Sequence, residues 1–374
     1  MQQLEIHHFV YQLGTGGAEY VAINLATSQR ASGHQVLIWT AGKPPEDAEG
    51  RKVYANNLTR LEGMGIRVIA FPYGPRSIIR NALFLRKQLH KDHSNNIIFH
   101  THSPVSAGII FLANVGCQIF SVHSTNFNFP VSWLRILSPR VKAFVSGAPS
   151  VAEALSSALG RSVMTIRYGV EIPIGRRQFQ PSHSSGKVIF VFIGRLVPQK
   201  NPVRLLKAFS VLLEKSFVDN VDIRLKIVGD GPLMEELIEM SDRLGLSSSV
   251  EFTGTLSDFD SVLMESDFLV MSSDFEGLPI VLLRAIALGV PAILTPFPSA
   301  VELMDSYNCG VVCVDFSFES LATAMSEVIS KSWSGHNDTD AAILNFKRFR
   351  EEHSLESIAR AYMNVYLEIL DRVE

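Results

Sequence analysis

The sequence predicts an α/β fold with two Rossmann-like domains, each built on a parallel sheet. Short β-branched runs alternate with helix-length amphipathic segments through most of the chain. The 374 residues are more than one hydrophobic core usually supports. A polar segment near Arg176–Gly186 interrupts the alternation and indicates a linker. Because strands that alternate with helices pair in parallel through right-handed crossovers, we expect domains at residues 1–176 and 187–353.

Twelve strands are expected, six in each domain. Those of the first domain are Glu5–Tyr11, Gln35–Thr40, Arg67–Phe71, Asn96–His100, Gln118–His123 and Lys142–Val145. Those of the second domain are Lys187–Ile193, Asp222–Val228, Ser249–Thr253, Phe268–Met271, Ala292–Thr295 and Gly310–Cys313. Helical patterns fill the intervals. A last amphipathic helix, residues 354–374, is expected to pack back on the first domain.

Charge is unevenly distributed along the chain. Residues 1–185 hold 18 Lys and Arg against 9 Asp and Glu, whereas the remainder holds 16 against 28. A basic half suits an anionic partner. The nucleic-acid class is disfavoured, because the sequence has no zinc-finger spacing, no aromatic–basic interleaving and no basic tail. A membrane surface or a phosphate-bearing acceptor fits better.

Two further features bound the location and the redox state. No apolar run reaches the roughly 18 residues of a membrane span, and no secretory signal is visible, so we expect a cytoplasmic protein. Three cysteines, an odd number without metal-ligand spacing, indicate reduced thiols.

Ligands of parallel α/β folds bind beyond the carboxyl ends of the strands, so the loops after strands hold the candidate residues. The first such loop, Gln12–Glu19, contains Gly14, Gly16 and Gly17. Glycines let backbone N–H groups approach a phosphate at a helix N-terminus. The spacing is not that of the dinucleotide fingerprint, and a purely structural turn explains the loop as well.

The second loop, Phe192–Pro202, carries two cations. Asn201 is expected to cap the following helix and Pro202 to occupy its first position. Arg195 and Lys200 flank that helix end, an arrangement that favours a diphosphate. The alternative is that both charges are simply solvated.

Two loops of the second domain complete the set. Gly229-Asp230-Gly231-Pro232 indicates a tight turn that could approach a ribose or base, although alone it is more typical of structure. Asp274–Pro279 precedes the expected helix Ile280–Leu288, which stops at Gly289. Within it Glu276 stands just ahead of the helix, where its carboxylate could accept hydrogen bonds from sugar hydroxyls.

In chain order these segments resemble the retaining family 4 glycosyltransferases. The resemblance runs from Gly-Gly-Ala-Glu through Gly-Arg…Gln-Lys-Asn-Pro, Val-Gly-Asp-Gly-Pro and Phe-Thr-Gly to Glu-Gly-Leu-Pro…Ala-Leu-Gly-Val-Pro. It implies a GT-B fold, in which two Rossmann-like domains face each other across a cleft. It also implies that the C-terminal domain holds a nucleotide-sugar, that the N-terminal domain holds the acceptor, and that transfer retains anomeric configuration without a metal ion.

The resemblance also assigns roles to individual residues. Arg195 and Lys200 would bind the donor diphosphate and stabilise the charge on the leaving group. Glu276 would contact the transferred sugar, and His123 would contact it near the reacting centre. The donor-binding set would be completed by backbone and side-chain groups of Gly16, Gly17, Gly194, Gly229, Gly277, Leu278 and Arg284. No metal ligand and no cofactor beyond the nucleotide-sugar substrate, UDP- or GDP-linked, are expected.

Two departures from the family pattern stand out. The family has a second glutamate seven residues after the first, and here that position is Arg284, the one charge in an apolar helix. Because an unpaired buried charge is costly, we expect its partner to be a carboxylate, such as that of Glu302 or Glu276, or a donor phosphate. The other departure is Pro296–Ser299 in place of a glycine pair.

Several polar residues fit a structural role as well as a chemical one. His100 and His102 resemble a His-x-His after the fourth strand and would line the acceptor side. Hydrogen-bonding loop residues are favoured there over a metal pair. His7 and His8 are interpreted as ordinary strand positions. The pairs Asp258-x-Asp260 (beside Ser257) and Asp338-x-Asp340 are attributed to helix capping rather than to metal binding.

A basic amphipathic pattern runs from Arg76 to Lys91. It could lie on anionic lipid with Ile79, Leu83 and Phe84 beneath the charges. Alternatively, it is a crossover helix that packs on the sheet and leaves its charges in solvent. The segment Trp133–Leu137 is a second, weaker candidate of the same kind.

The sequence therefore favours a metal-independent, hexosyl-type glycosyltransferase of surface polysaccharide or lipopolysaccharide synthesis. Its partners would be a nucleotide-sugar, a glycan or lipid-linked acceptor and, peripherally, the membrane. Arg284 keeps open a degenerate GT-B protein that binds without turnover. A GT-B epimerase or phosphorylase is disfavoured by the Glu-Gly-Leu-Pro segment.

Overall fold

The computed structural model describes residues 3–14, 16–89, 96–124, 131–173, 186–214, 221–256, 258–330 and 340–371. The chain divides into two compact units, Met1–Gly169 with Glu352–Glu374, and Val170–Glu351. The division after Gly169 precedes the boundary expected at residue 176. The expected linker lies outside the described residues, apart from Gly186.

The first unit contains seven strands and seven helices among its described residues. Its strands are β1 (Glu5–Val10), β2 (Gln35–Thr40), β3 (Arg67–Ala70), β4 (Ile97–Thr101), β5 (Cys117–Val122), β6 (Val141–Ser146) and β7 (Met164–Thr165). Its helices are α1 (Gly17–Ala31), α2 (Ala48–Gly63), α3 (Ile78–Leu89), α4 (Pro104–Ala113), α5 (Val131–Leu137), α6 (Pro149–Leu159) and, at the C-terminus, α14 (Leu355–Asp371).

The second unit follows the same alternation. Its strands are β8 (Lys187–Ile193), β9 (Asp222–Val228), β10 (Val250–Gly254), β11 (Phe268–Met271), β12 (Ala292–Leu294) and β13 (Gly310–Val312). Its helices are α7 (Pro202–Glu214), α8 (Met234–Arg243), α9 (Phe259–Glu265), α10 (Ile280–Leu288), α11 (Pro298–Tyr307), α12 (Phe318–Ser330) and α13 (Asp340–His353), the last of which ends in the first unit.

Both sheets are parallel, with strand orders β3-β2-β1-β4-β5-β6-β7 and β10-β9-β8-β11-β12-β13. The α/β class and all twelve expected strands are confirmed, with ends that differ by at most one residue. The two-residue edge strand β7 was not foreseen, because so short a run carries no periodic signal. The strand order reverses between β1 and β4 in one sheet and between β8 and β11 in the other.

Period-two alternation along the strands of the first unit separates two cores. Phe9, Trp39 and Phe99 face α3 and α4. On the opposite face, strand residues such as Ile6 and Ile98 pack against α14. In the second unit, buried side chains of the strands form a core with those of several helices, including α7 and α12.

Helix α14 is part of the first unit's core. Tyr362 and Tyr366, both fully buried, lie one turn apart on its inner face. Ahead of the helix, His353 Nδ1 donates to the carbonyl of Tyr168 at 2.9 Å. Among the described helices, none combines the length and the apolar composition needed to cross a membrane.

Candidate functional site

The loops that follow β8 and β11 are neighbours at the point where the strand order of the second unit reverses. Such a reversal opens a crevice at the carboxyl ends of the strands, where α/β proteins bind ligands. The loops are residues 194–201 and 272–279, two of the four that the sequence singled out. The strand order therefore brings the candidate cations, Arg195 and Lys200, and the candidate carboxylate, Glu276, to one edge of the sheet.

Lys200 and Glu276 meet in an ion pair at this edge. Lys200 Nζ lies 2.5 Å from Glu276 Oε1, and Ser273 Oγ donates to the same oxygen at 2.7 Å. The side chain of Glu276 is nearly buried, at 7% exposure, and that of Lys200 is 19% exposed. The carboxylate is thus held by two donors in a region with little water, which fixes its direction.

Main-chain acceptors bind the two loops to each other. Gln199 Nε2 donates to the carbonyl of Phe275 at 2.9 Å, and the N–H of Asp274 donates to the carbonyl of Gln199 at 2.9 Å. Ser272 Oγ donates to the carbonyl of Lys200 at 2.9 Å. The ion pair consequently sits on a rigid pair of loops.

Helix α7 begins where the first loop ends. Asn201 Oδ1 accepts from the N–H of Arg204 at 3.1 Å and Pro202 is the first helical residue, so the expected cap is confirmed. Arg204 also donates to Asp274 at 2.6 Å and so fastens the helix to the second loop. Arg195 is exposed, and no residue in the described part of the chain forms an ion pair with it.

The glycines of the second unit serve a close approach of backbones. A Cβ at Gly229 would lie 2.0 Å from the carbonyl oxygen of Gly194, and Gly229 has φ of +134°. A Cβ at Gly231 would lie 2.5 Å from the carbonyl oxygen of Leu196. The N–H of Leu196 donates to the carbonyl of Asp230 at 2.9 Å. The turn after β9 therefore packs against the backbone of the loop after β8.

Gly277 and Leu278 join Glu276 to helix α10. Both are buried, Leu278 at 4% exposure. Pro279 stands at the N-cap position and forms no side-chain cap. The positive end of α10 thus lies shortly after Glu276, and its N-cap residue adds no side-chain hydrogen bond there.

Arg284 has a different partner from those expected. Its Nε donates to Asp260 Oδ1 at 3.0 Å, its Nη2 donates to Asp260 Oδ2, and its Nη1 donates to the carbonyl of Glu171. The expectation of a carboxylate partner is confirmed, but the carboxylate belongs to Asp260, which was not among the examples named: α9 packs against α10 and brings this carboxylate to Arg284. Arg284 is buried, at 5% exposure, inside this arrangement.

The two aspartates of the first Asp-x-Asp pair have different partners. Asp258 itself caps α9, accepting from the N–H of Ser261 at 3.2 Å, whereas Asp260 pairs with Arg284 and caps nothing. A hydrogen bond from the Ser261 hydroxyl lowers the pKa of Asp258. Ser257 and Asp338 lie outside the described residues, and Asp340 is described only as the start of α13.

In the first unit the glycine loop leads into α1. Gly16 is the N-cap residue, Gly17 is the first helical residue, and both are exposed, while Thr15 lies outside the described residues. A Cβ at Gly16 would lie 2.1 Å from Glu19 Oε2. The Glu19 carboxylate thus lies at the N-terminus of α1, where its negative charge interacts favourably with the positive end of the helix dipole.

A chain of imidazoles runs along one face of the first unit's sheet. His8 Nε2 lies 2.8 Å from Gln29 Oε1, His8 Nδ1 lies 3.1 Å from His102 Nε2, and His102 Nδ1 lies 3.2 Å from His123 Nε2. His123 Nδ1 lies 2.6 Å from the Tyr168 hydroxyl. We call these residues the imidazole chain.

The partners determine every tautomer of the imidazole chain. Gln29 donates its amide to the Tyr366 hydroxyl at 3.3 Å, so its oxygen accepts from His8 Nε2–H. Each following histidine then carries its proton on Nε2 and accepts on Nδ1, and Tyr168 is the last donor. His123 therefore has both ring nitrogens bound inside the unit, and a sugar contact would require one of them to change partner.

Burial keeps the imidazole chain neutral. It lowers the pKa of His8 to about 4 and that of His123 to about 4. Burial and the neighbouring imidazoles hold the pKa of His102 well below its usual value. Burial also raises the pKa of Tyr168 well above its ordinary value, so this phenol stays a donor.

His100 lies beside the chain and binds helix α14. Its Nδ1 lies 2.6 Å from the Tyr366 hydroxyl and its Nε2 lies 2.7 Å from Ser121 Oγ. His8, His100 and His102 bring potential metal-ligand atoms within 4.8 Å of one another. Because each of their ring nitrogens has a hydrogen-bond partner, a metal ion would have to displace those bonds. His100 lies in β4 and His102 directly after it, as expected for a His-x-His at the end of the fourth strand, and both are buried.

Sequence reasoning missed the residues that complete these arrangements. They are His8, Gln29, Asp260, Tyr168, Tyr362 and Tyr366. The one available signal was polar side chains at alternate positions of otherwise apolar strands, such as His8 in Glu5–Val10. That signal shows which face a residue occupies but not what meets it there.

Comparisons with known families cover nearly the whole chain. A model described as glycosyl transferases group 1 matches residues 175–361, and a model described as glycosyltransferase family 4 matches residues 15–172. The first of these spans half of the chain. The boundary between the matches falls a few residues after the division of the two structural units.

Similar individual proteins are glycan enzymes. An exopolysaccharide phosphotransferase of Streptomyces coelicolor is 32% identical over 52% of this chain and 20% of its own length. The UDP-Gal:alpha-D-GlcNAc-diphosphoundecaprenol alpha-1,3-galactosyltransferase of Escherichia coli is 27% identical over 58% of this chain and 62% of its own length. The chain thus spans less than two thirds of either relative.

The crystal structure of HepE from Anabaena, in complex with UDP and glucose, has a similar fold. It aligns with a TM-score of 0.77 over 98% of this chain and 100% of that chain, at 17% identity. At this identity the likeness speaks for the fold alone.

Proposed function

The chain belongs to the group 1 glycosyltransferases of family 4, and we propose that it moves a hexosyl group from a nucleoside-diphosphate sugar to a lipid-linked glycan with retention of configuration. One observation carries the proposal. Lys200 and Glu276 are paired at the strand-order reversal of the second unit, beside the exposed Arg195. A sugar diphosphate requires both kinds of group at one edge, because its phosphates bind cations and the hydroxyls of its sugar can donate to a carboxylate.

The proposed donor site separates the two ends of the substrate. Arg195 and Lys200 bind the diphosphate, aided by the N-terminus of α10 after Gly277 and Leu278. Gly194 leaves the backbone after β8 accessible to the nucleotide, and Gly229 lets the neighbouring turn pack against that backbone. Glu276 accepts hydrogen bonds from the hydroxyls of the sugar.

Transfer breaks the bond between the anomeric carbon and the diphosphate oxygen, so negative charge grows on the leaving group. Arg195 and Lys200 stabilise that charge in place of a metal ion, Lys200 from a position that is already fixed by its ion pair with Glu276. The oxygen of the acceptor hydroxyl bonds to the anomeric carbon, and its proton passes to the oxygen of the departing diphosphate. The expected cost of losing one such cation is about 10²-fold to 10³-fold in turnover.

The acceptor and the nucleotide are proposed from the relatives. The Escherichia coli relative is named for a UDP-galactose donor and a diphosphoundecaprenol-linked acceptor, and the Anabaena structure contains UDP. We infer a UDP-sugar, with a GDP-sugar as the second choice, and an acceptor carried by a lipid diphosphate. An enzyme that uses such acceptors would serve surface polysaccharide synthesis, and we propose that it acts on the cytoplasmic face of the membrane.

The imidazole chain is proposed to support the acceptor side. Gly16 and Gly17 open α1 near the end of β1, and His102 follows β4, which is the neighbour of β1. His123 could reach a sugar hydroxyl by exchanging Tyr168 for it at Nδ1. His102 would then hold the other nitrogen and keep the ring oriented.

The test is a thermal-shift series with UDP, GDP, ADP, CMP and their sugar conjugates, followed by release of nucleotide in the presence of a lipid-linked acceptor. A ligand at 100 times its dissociation constant adds about 2.7 kcal/mol of stability. Activity that survives EDTA and a product with retained anomeric configuration are expected. Lys200→Ala should weaken the thermal shift and the release of nucleotide. Lys226→Ala is its matched control, because it breaks another lysine–carboxylate pair of the same unit.

Arg284 supports a second candidate, a family member that binds the donor but no longer turns over. A ribose-binding glutamate is absent there, and the arginine is committed to Asp260. A nucleotide-specific thermal shift without nucleotide release from any acceptor would favour this second candidate. Absence of a shift with every nucleotide would overturn both.

A further inference from the structure

Helices α3, α4 and α5 adjoin one another on one side of the first unit. Gly108 in α4 marks the junction: a Cβ there would lie 2.9 Å from Trp133 Cζ2 of α5 and 3.6 Å from Ile78 Cγ2 of α3. The inner side chains of α3, such as Asn81, Ala82 and Leu85, are buried toward the sheet. The outer sides of the three helices form one surface.

Aliphatic side chains stand out from this surface. Ile79 and Leu83, one turn apart on α3, are 68% and 64% exposed. Ile136 on α5 is 59% exposed and Leu112 on α4 is 48% exposed. Single exposed aliphatic residues are ordinary, but four on adjoining helices form a patch of a kind that usually meets a partner.

The same surface carries one sign of charge. Residues 64–152 contain nine Lys and Arg and a single acidic residue, Asp92, which lies outside the described residues. The exposed cations of the surface are Arg76, Arg80, Arg86, Lys87, Arg135 and Arg140. The first acid that follows is Glu153 on α6. We call the four aliphatic residues and six cations the aliphatic–basic face.

Packing on the sheet explains only half of α3. A crossover helix must bury one side, and Asn81, Ala82 and Leu85 do so. This packing does not require Ile79 or Leu83, because both side chains are mostly exposed and lie outside the core. Cations around exposed aliphatic groups match an interface with anionic headgroups outside and acyl chains beneath.

We propose that the aliphatic–basic face rests on an anionic lipid bilayer, with Ile79, Leu83 and Ile136 below the headgroup phosphates and the arginines among them. This contact extends the proposed function, because a lipid-linked acceptor would be offered at the same surface. It is nevertheless a property of the first unit alone. Vesicle binding needs neither donor nor acceptor, so it can succeed or fail independently of sugar transfer.

Co-sedimentation of the full chain tests the proposal with vesicles of phosphatidylcholine alone and of phosphatidylcholine with phosphatidylglycerol. Binding is expected to the anionic vesicles and to weaken as salt is raised. Ile79→Ser with Leu83→Ser, and separately Arg80→Glu with Lys87→Glu, should each weaken binding by more than about tenfold. Val314→Ser and Arg243→Glu, exposed positions of the second unit, are matched controls that should bind like the wild type.

Three outcomes would overturn the proposal. One is equal binding to both kinds of vesicle, and another is no binding to either. The third is loss of binding in the charge-reversed variant with wild-type binding in the serine variant, because headgroup attraction without insertion would then suffice. Circular dichroism and melting of each variant establish that the fold is retained, which is expected because all four positions are exposed.

Discussion

Arg284 and Asp260 form an ion pair in which two guanidinium nitrogens meet two carboxylate oxygens, at the position where the family pattern has a glutamate. The pair joins α10 to α9, and a third nitrogen reaches the carbonyl of Glu171. The arginine therefore replaces a ligand-binding carboxylate with a bond internal to the second unit. Its charge is balanced by Asp260 before any donor arrives.

Reversing the charge at residue 284 should destabilise the second unit where α9 packs against α10. Arg284→Glu sets two carboxylates against each other, so we expect a loss of roughly 3 kcal/mol of unfolding free energy in urea titration. The double variant Arg284→Glu, Asp260→Arg restores opposite charges and should recover most of the loss. Equal stability of the single variant and the wild type would show that the ion pair contributes nothing.

The two cations of the donor site should differ in their effect on stability. Arg195 is exposed, so Arg195→Ala should change the melting temperature little and yet weaken the stabilisation by UDP. Lys200→Ala leaves the buried Glu276 without its ion partner, so it should cost about 1–3 kcal/mol even without ligand. Thermal melting with and without UDP measures both. Similar losses of intrinsic stability in the two variants would contradict the assignment.

Gly229 should tolerate no side chain. The Cβ of Gly229→Ala would lie 2.0 Å from the carbonyl oxygen of Gly194, so the loop after β8 must move and both stability and nucleotide binding should fall. Gly254→Ala is the control: it also has a positive φ, of +71°, but no atom lies within 4 Å of its Cβ. We expect about 1 kcal/mol from backbone strain in the control and clearly more in Gly229→Ala, by urea titration. Equal losses would show that strain alone matters.

The sequence predicted the strands, and the position of the candidate loops directly after them, well, because both are local features. Period-two runs specify strands, and the rule that ligands bind beyond strand ends brought Lys200 and Glu276 to one edge although 76 residues separate them. Asp260 was not found as the partner of Arg284, because the approach of α9 to α10 depends on tertiary packing. Tyr366 was not found as the partner of His100 for the same reason, at a separation of 266 residues.

The buried histidines of the first unit should make it sensitive to mild acid. Burial lowers the pKa of His8, His123 and His353 to about 4, below the value near 6.5 of an unfolded chain. The unfolded state therefore binds protons first as pH falls. Stability is complete above pH 6.5 and is lost between pH 6.5 and pH 4, by about 1.4 kcal/mol per pH unit for each such histidine.

Urea titrations between pH 8 and pH 5 measure this loss, and the variant His353→Gln tests its source. The glutamine amide can still donate to the carbonyl of Tyr168 but takes up no proton, so the variant should lose less stability on acidification than the wild type. His34→Gln is a comparison at a second buried histidine outside the imidazole chain, whose pKa burial also lowers, and its change should have the same sign. Curves of wild type and His353→Gln that stay parallel down to pH 5 would mean that this histidine is already solvated, because only a site kept from water makes protonation oppose folding.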